Sequence, residues 1–229
     1  MRVSALALLL AATFLAGCGG SGKSAKANGE ASKPAARVLA DARAAATAAS
    51  SAHVSGNIVS GGTPITVDLT MARRKGAKGS MSTNGLQFDL VRIGDSAYIR
   101  GSDEFWQHFA GGAIAQLLHG KWIKASVVQG RFRSLAPLTN LGLLLAKVAS
   151  SHGKLANDGK TTYKGQQVVA IRDTSDGSRL FVAATGKPYP VAIVGGRKGQ
   201  SGTIAFGKWS EPVSLTAPQG AIDISKLGG

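Results

Sequence analysis

Between Pro64 and Ala72 the side chains alternate strictly: Ile65, Val67, Leu69 and Met71 are apolar, and Thr66, Asp68 and Thr70 between them are polar. A period of two puts the apolar set on one face, which is the signature of a half-buried antiparallel strand. The same pattern predicts strands over His53–Ser60, Lys75–Thr83, Leu86–Ile93 and Ser96–Arg100. Gly61-Gly62, Asn84-Gly85 and Gly94-Asp95 separate them, and Asn-Gly is the strongest hairpin signal of the three. Connections this short leave no room for crossover helices, so the strands form a meander.

Helical spacing frames this block. From Pro34 to about Ser51, Val38, Ala42, Ala45, Ala49 and Ala52 make one narrow apolar stripe, with Ser32 as a cap and Pro34 in the first turn. The small side chains suit close packing on a sheet. After the meander, Asp103–His119 reads as a helix with Trp106, Phe109, Ala113 and Leu117 on one side. Gly111-Gly112 in its middle weakens it by about 1 kcal/mol per glycine. Lys121–Ser126 reads as a short strand, and Ser134–Ser151 as a helix. Leu138, Leu141, Leu143, Leu144, Leu145, Ala146 and Val148 leave that helix almost no polar face, so it requires burial on more than one side.

Strands resume over Lys154–Asn157, Thr161–Lys164, Gln166–Asp173, Ser178–Ala184, Pro190–Val194, Gly202–Phe206 and Pro212–Leu215. A meander of this length must curl or leave a long open edge. The expected fold is therefore α+β: a strongly curved antiparallel sheet of about eleven strands, an incomplete barrel, with helices across its concave face.

The N-terminus changes the picture. Arg2 precedes an apolar run from Val3 to Leu15, too short for a membrane-spanning helix, which needs about 20 residues, and suited to a secretory signal. It ends in Leu15-Ala16-Gly17-Cys18, which resembles the lipobox of bacterial lipoproteins and contains the only cysteine of the 229 residues. That resemblance implies cleavage after Gly17 and a diacylglyceryl group on the Cys18 sulfur. Two acyl chains suffice for stable anchoring. Residues 1–17 are then a signal peptide, 18–33 a lipidated cysteine and flexible tether, and 34–229 the folded domain, expected to be a monomer on the outer face of the cell membrane.

Gly17-Cys18-Gly19-Gly20-Ser21-Gly22-Lys23-Ser24 matches a phosphate-binding P-loop as a string. Its context does not fit, because a P-loop follows a core strand and opens a helix, whereas this one joins a signal sequence to a tether. With one cysteine, an internal disulfide and a Cys-rich zinc site are both excluded.

Several segments of the mature chain resemble the LppX/LprG group of actinobacterial lipoproteins and, more loosely, the LolA/LolB carriers. They are Asp41-Ala42 with Ser50-Ser51-Ala52-His53-Val54-Ser55-Gly56; Arg92 to Gly101 followed by Trp106; Leu180 to Ala184 with Gly186-Lys187-Pro188-Tyr189-Pro190; and Gly202 to Phe206 with Trp209. The resemblance implies an incomplete barrel enclosing an apolar cavity for the acyl chains of lipids or glycolipids. Trp106, Phe109, Leu117, Leu118, Leu141, Leu144 and Leu145 are the candidate lining residues. A filled core explains the same residues, and would make the protein a structural or protein-interaction module of the envelope.

Catalytic chemistry finds little support. There is no G-x-S-x-G elbow, and His53, His108, His119 and His152 are too scattered for a local metal motif. Asp103 and Glu104 are adjacent on a helix and so do not face each other. No enzyme activity, cofactor or metal is expected. The chain carries 27 Lys and Arg against 12 Asp and Glu, a net charge of +15. Export rules out nucleic acid as the partner of this charge and leaves anionic lipid headgroups or envelope polymers. Arg131, Arg133, Arg197 and Lys198 either rim a headgroup site or belong to a solvated basic surface.

Overall fold

A computed structural model describes residues 26–60, 62–130, 132–133, 135–150, 152–196 and 201–224. Cys18, Arg131, Arg197, Lys198 and the side chain of Leu145 lie outside the described residues.

The helix α1 (Ala35–Ala48) is followed by the meander β1 (Ser51–Ser60), β2 (Thr63–Ala72), β3 (Gly76–Thr83), β4 (Leu86–Ile93) and β5 (Ser96–Gly101). Helices α2 (Asp103–Ala110) and α3 (Gly112–Leu118) lead to β6 (Ile123–Ser126). Then α4 (Leu135–Leu138) and α5 (Leu141–Ser150) precede β7 (Leu155–Tyr163), β8 (Gln166–Asp173), β9 (Arg179–Ala183), β10 (Pro190–Val194), β11 (Gly202–Gly207) and β12 (Ile222–Asp223).

The twelve strands among the described residues form one sheet, in the order β12-β6-β5-β4-β3-β2-β1-β11-β10-β9-β8-β7. Every pairing is antiparallel except β12 with β6. The end strands β12 and β7 do not pair with each other, so the barrel is incomplete. The pairing of β1 with β11 joins the early meander to the late one.

Register aligns apolar side chains in rows across the sheet. Ile123, Ile99, Leu90, Gly79, Leu69, Val54 and Phe206 stand opposite one another from β6 to β11. Helices cover this inner face. Phe105, Trp106, Ala115, Leu118 and Leu141 pack with Leu90 and Ile99 in the larger core cluster. Ala35, Val38 and Ala42 of α1 pack with Val169, Ile171 and Val182 in a smaller one. Gly79 has φ +145°, and a Cβ there would overlap the Asp68 carbonyl oxygen. The missing side chain lets the β2 backbone approach closely at this point.

Four elements differ from the sequence expectation. The helix expected over Asp103–His119 is two, because Gly111 takes φ 85° and ψ 161° and ends α2. The helix expected over Ser134–Ser151 divides between α4 and α5, where Thr139 turns its hydroxyl back to the Leu135 carbonyl at 2.7 Å. Asp158-Gly159 is a bulge within β7 and not a turn: the register shifts between Asn157 and Gly159, and Arg172 clamps Asp158 through two hydrogen bonds. Pro212–Leu215 forms no strand. Its would-be neighbour β11 already has β1 and β10 on its two edges.

Candidate functional site

The inner face is unevenly covered. Toward the rim where β1 begins it is closed: Val54, Leu69, Met71, Leu90 and Ile99 are buried. Toward the other rim the apolar side chains continue without full cover. Ile58 lies opposite Ile65, and Gly56 lies between Val67 and Ile204, where it contributes no side chain. Ile204 is in turn opposite Ile193. Leu86 shares the face through Thr83 and Ile65. Ile58, Ile65, Val67, Leu86, Ile193 and Ile204 are all only half-buried. They form a strip of apolar floor between the part covered by α1 and the part covered by α2 and α3.

The sequence-predicted lining residues fall into two groups. Trp106 (2% exposed), Leu118 and Leu141 are buried in the larger core cluster, with Leu144 packed partly against it. Phe109 is 48% exposed and Leu117 66% exposed. Phe109 contacts Phe105 at 4.7 Å between ring centroids, and Phe105 contacts Phe88 of β4 at 5.0 Å. An aromatic chain thus runs from the inner face to the surface of the α2–α3 pair. Ile114 of α3 is exposed beside it in sequence. The indole Nε1–H of Trp106 is buried with no acceptor among the described residues. Such an unpaired donor costs about 1–3 kcal/mol.

Sequence reasoning looked for lining residues in the two helical stretches Asp103–His119 and Ser134–Ser151 and passed over the strand residues of the strip. Period-two alternation already put Ile65 and Val67 on one face. What it lacked was the pairing of β1 with β11, which brings Ile204 and Ile193 alongside them.

Polar groups on the helices and strands serve the fold. Arg92 shares the inner-face row of Ala77 and Ala97. Its Nη1 donates to the Ala136 carbonyl and Thr139 Oγ1, both at 3.3 Å, and so ties α4 across the sheet. His53 contacts Asp68 and His119 contacts Asp103, each at 2.8 Å on the surface. Among the described residues, no three His, Cys, Asp or Glu side chains gather as a metal site requires. No described helix is long and apolar enough to cross a membrane.

No protein-family profile matches the chain, and no curated protein sequence matches it. Its architecture does have counterparts among solved structures. LprF from Mycobacterium bovis superposes with a TM-score of 0.56 at 13% identity, over 81% of this chain and 97% of LprF. The lipoprotein LppX from Mycobacterium tuberculosis gives 0.51 at 16% identity, over 80% of this chain and 98% of LppX. The chain has the LppX-type lipoprotein fold. At these identities the likeness establishes the fold, and it agrees with the resemblance carried by the sequence segments.

Proposed function

We propose that the chain is an exported lipoprotein, held at the outer face of the cell membrane by a lipid on Cys18, that binds the acyl chains of a lipid or glycolipid on the inner face of its open sheet. It has no catalytic step of its own. The observation that carries this reading is the half-open apolar strip of Ile58, Ile65, Val67, Leu86, Ile193 and Ile204. Apolar area left to water is unfavourable by roughly 25 cal/mol per Å², and an extended acyl chain would cover it. The unpaired Trp106 Nε1–H is a donor that an ester oxygen of the cargo would satisfy. The likeness to LppX, a lipoprotein by its own description, supports the envelope setting.

The competing reading is a filled core serving protein interaction. It draws on the tight burial of Trp106, Leu118 and Leu141. Two variants separate the readings. Val67→Trp and Ile204→Trp enlarge half-buried side chains on the strip. Under the carrier reading they keep the melting temperature within a few degrees and lose uptake of a fluorescent acyl lipid. If both variants bind the probe as the parent does, or if the parent takes up none, the carrier reading is wrong. A filled strip would instead lose ~1–3 kcal/mol of stability from overpacking.

A further inference from the structure

The two rims of the sheet differ in charge. Ser51, Ala72, Gly76, Ile93, Ser96 and Ser126 follow one another in register along one rim. The same rim continues through Gly207, Pro190, Ala183 and Val168. Its connections carry Arg73, Arg74, Lys75, Lys164, Lys187 and Lys208, all exposed. None of the six is in an ion pair among the described residues. Asp95 and Glu211 are the acidic residues beside them. At the opposite rim the described strand ends and connections carry Asp103, Glu104, Asp173 and Asp176 against Lys121, Lys154 and Arg179. Arg73, Arg74 and Lys75 are consecutive in the β2–β3 turn, and the sheet topology brings Lys164, Lys187 and Lys208 to the same rim.

The N-terminal segment enters at this basic rim. Ala27 bridges to Thr185, the Asn28 N–H donates to the Ala184 carbonyl at 3.0 Å, and Asn28 Nδ2 donates to the Ala183 carbonyl at 2.7 Å. Lys26 is thereby fixed at the rim: its carbonyl accepts from the Gly186 N–H at 3.3 Å. Seven residues lie between it and Cys18, a span of at most about 28 Å.

The rim also holds a cleft of about 330 Å³ lined by Gln166, Thr185, Lys187, Tyr189, Lys208 and Trp209, with Pro190 and Phe206 among its apolar walls. Tyr189 and Trp209 stack at 4.8 Å between centroids. Amphipathic aromatic rings flanked by lysines suit the depth of lipid headgroups. Val128, exposed just past β6, adds apolar surface at the same rim.

We propose that this basic rim is the surface on which the protein rests against an anionic lipid bilayer, with the Lys187–Lys208 cleft receiving a headgroup phosphate. Unpaired lysines and arginines are drawn to a negative leaflet within a Debye length of it. The acidic residues of the opposite rim turn away from it. The half-open apolar strip then faces away from the membrane. The proposal is independent of what the strip binds.

The test uses the full chain as its host processes it, reconstituted in two kinds of vesicle: phosphatidylcholine alone, and phosphatidylcholine mixed with phosphatidylglycerol. Lysines are acetylated from outside and read by mass spectrometry. On the mixed vesicles, labelling of Lys75, Lys187 and Lys208 falls by roughly fivefold relative to the neutral ones, and high salt restores it. Lys121 and Lys154 are labelled equally on both. The triple variant Lys75→Glu, Lys187→Glu, Lys208→Glu abolishes the difference at Lys26 and Lys164. Equal labelling of the rim lysines on both vesicles overturns the proposal, and so does protection centred on Lys121 and Lys154. A protein that fails to bind acyl lipid in solution yet shows this protection pattern would sink the carrier reading alone.

Discussion

A methyl group placed on Gly79 would overlap the Asp68 carbonyl oxygen of the neighbouring strand. The residue also sits at φ +145°, where L side chains are strained. Gly79→Ala is therefore expected to cost about 1–3 kcal/mol, measured as a lower urea midpoint, though the position is not part of any core cluster. Asp173 is a second point of tension. Its carboxylate accepts from the Ser175 hydroxyl at 2.6 Å, the Gly153 N–H at 2.6 Å and the Ser175 N–H at 2.8 Å. These bonds, the Ser175 hydroxyl first, hold its pKa at about 2, against an ordinary 3.8. A carboxylate depressed on folding stabilises the protein above its unfolded pKa and loses that contribution as the pH falls through its folded one. The gap in melting temperature between the parent and Asp173→Asn should be full at neutral pH and narrow between pH ~4 and ~2. A gap that stays constant over that range would show that the carboxylate charge is not what ties the start of β7 to the β8–β9 turn.

At the scale of elements, the strands were legible because alternation is local. Ile65, Val67, Leu69 and Met71 state the face of β2 within eight residues of sequence. Helix breaks were less so. Gly111-Gly112 signals weakness, but only the left-handed turn of Gly111 converts weakness into two helices. The bulge in β7 was hidden because Asp158-Gly159 carries the composition of a turn, and the clamp from Arg172 that keeps it in the sheet comes from the next strand. The cap of α2 gives a direct test. Ser102 Oγ accepts the Phe105 N–H at 3.2 Å. Ser102→Ala should cost ~1 kcal/mol. Because Phe105 links Phe88 to Phe109, the loss should appear as faster amide exchange across α2 before the strands open.

At the scale of the whole molecule, the closed half of the inner face and the open strip are products of one pairing, β1 with β11. Neither the strip nor the basic rim exists in any short stretch of sequence. Ile58 and Ile204, like Lys75 and Lys208, become neighbours or rim-mates only when the two meanders join. The sequence did carry the incomplete barrel, through the count of short strands and the LppX-like segments. It placed the apolar excess in the leucine-rich stretch from 138 to 148, where Leu141 proves buried and Leu143 exposed. Hydropathy reports how much apolar surface a segment has, not which neighbour covers it.

The most direct measurement is native mass spectrometry of the protein purified from its own host, compared with Ile204→Trp prepared identically. The account predicts a noncovalent lipid with at least one acyl chain on the parent, additional to any lipid attached at Cys18, and its loss from the variant at unchanged fold. A parent that flies empty, and that takes up no acyl lipid when offered vesicles, would contradict it.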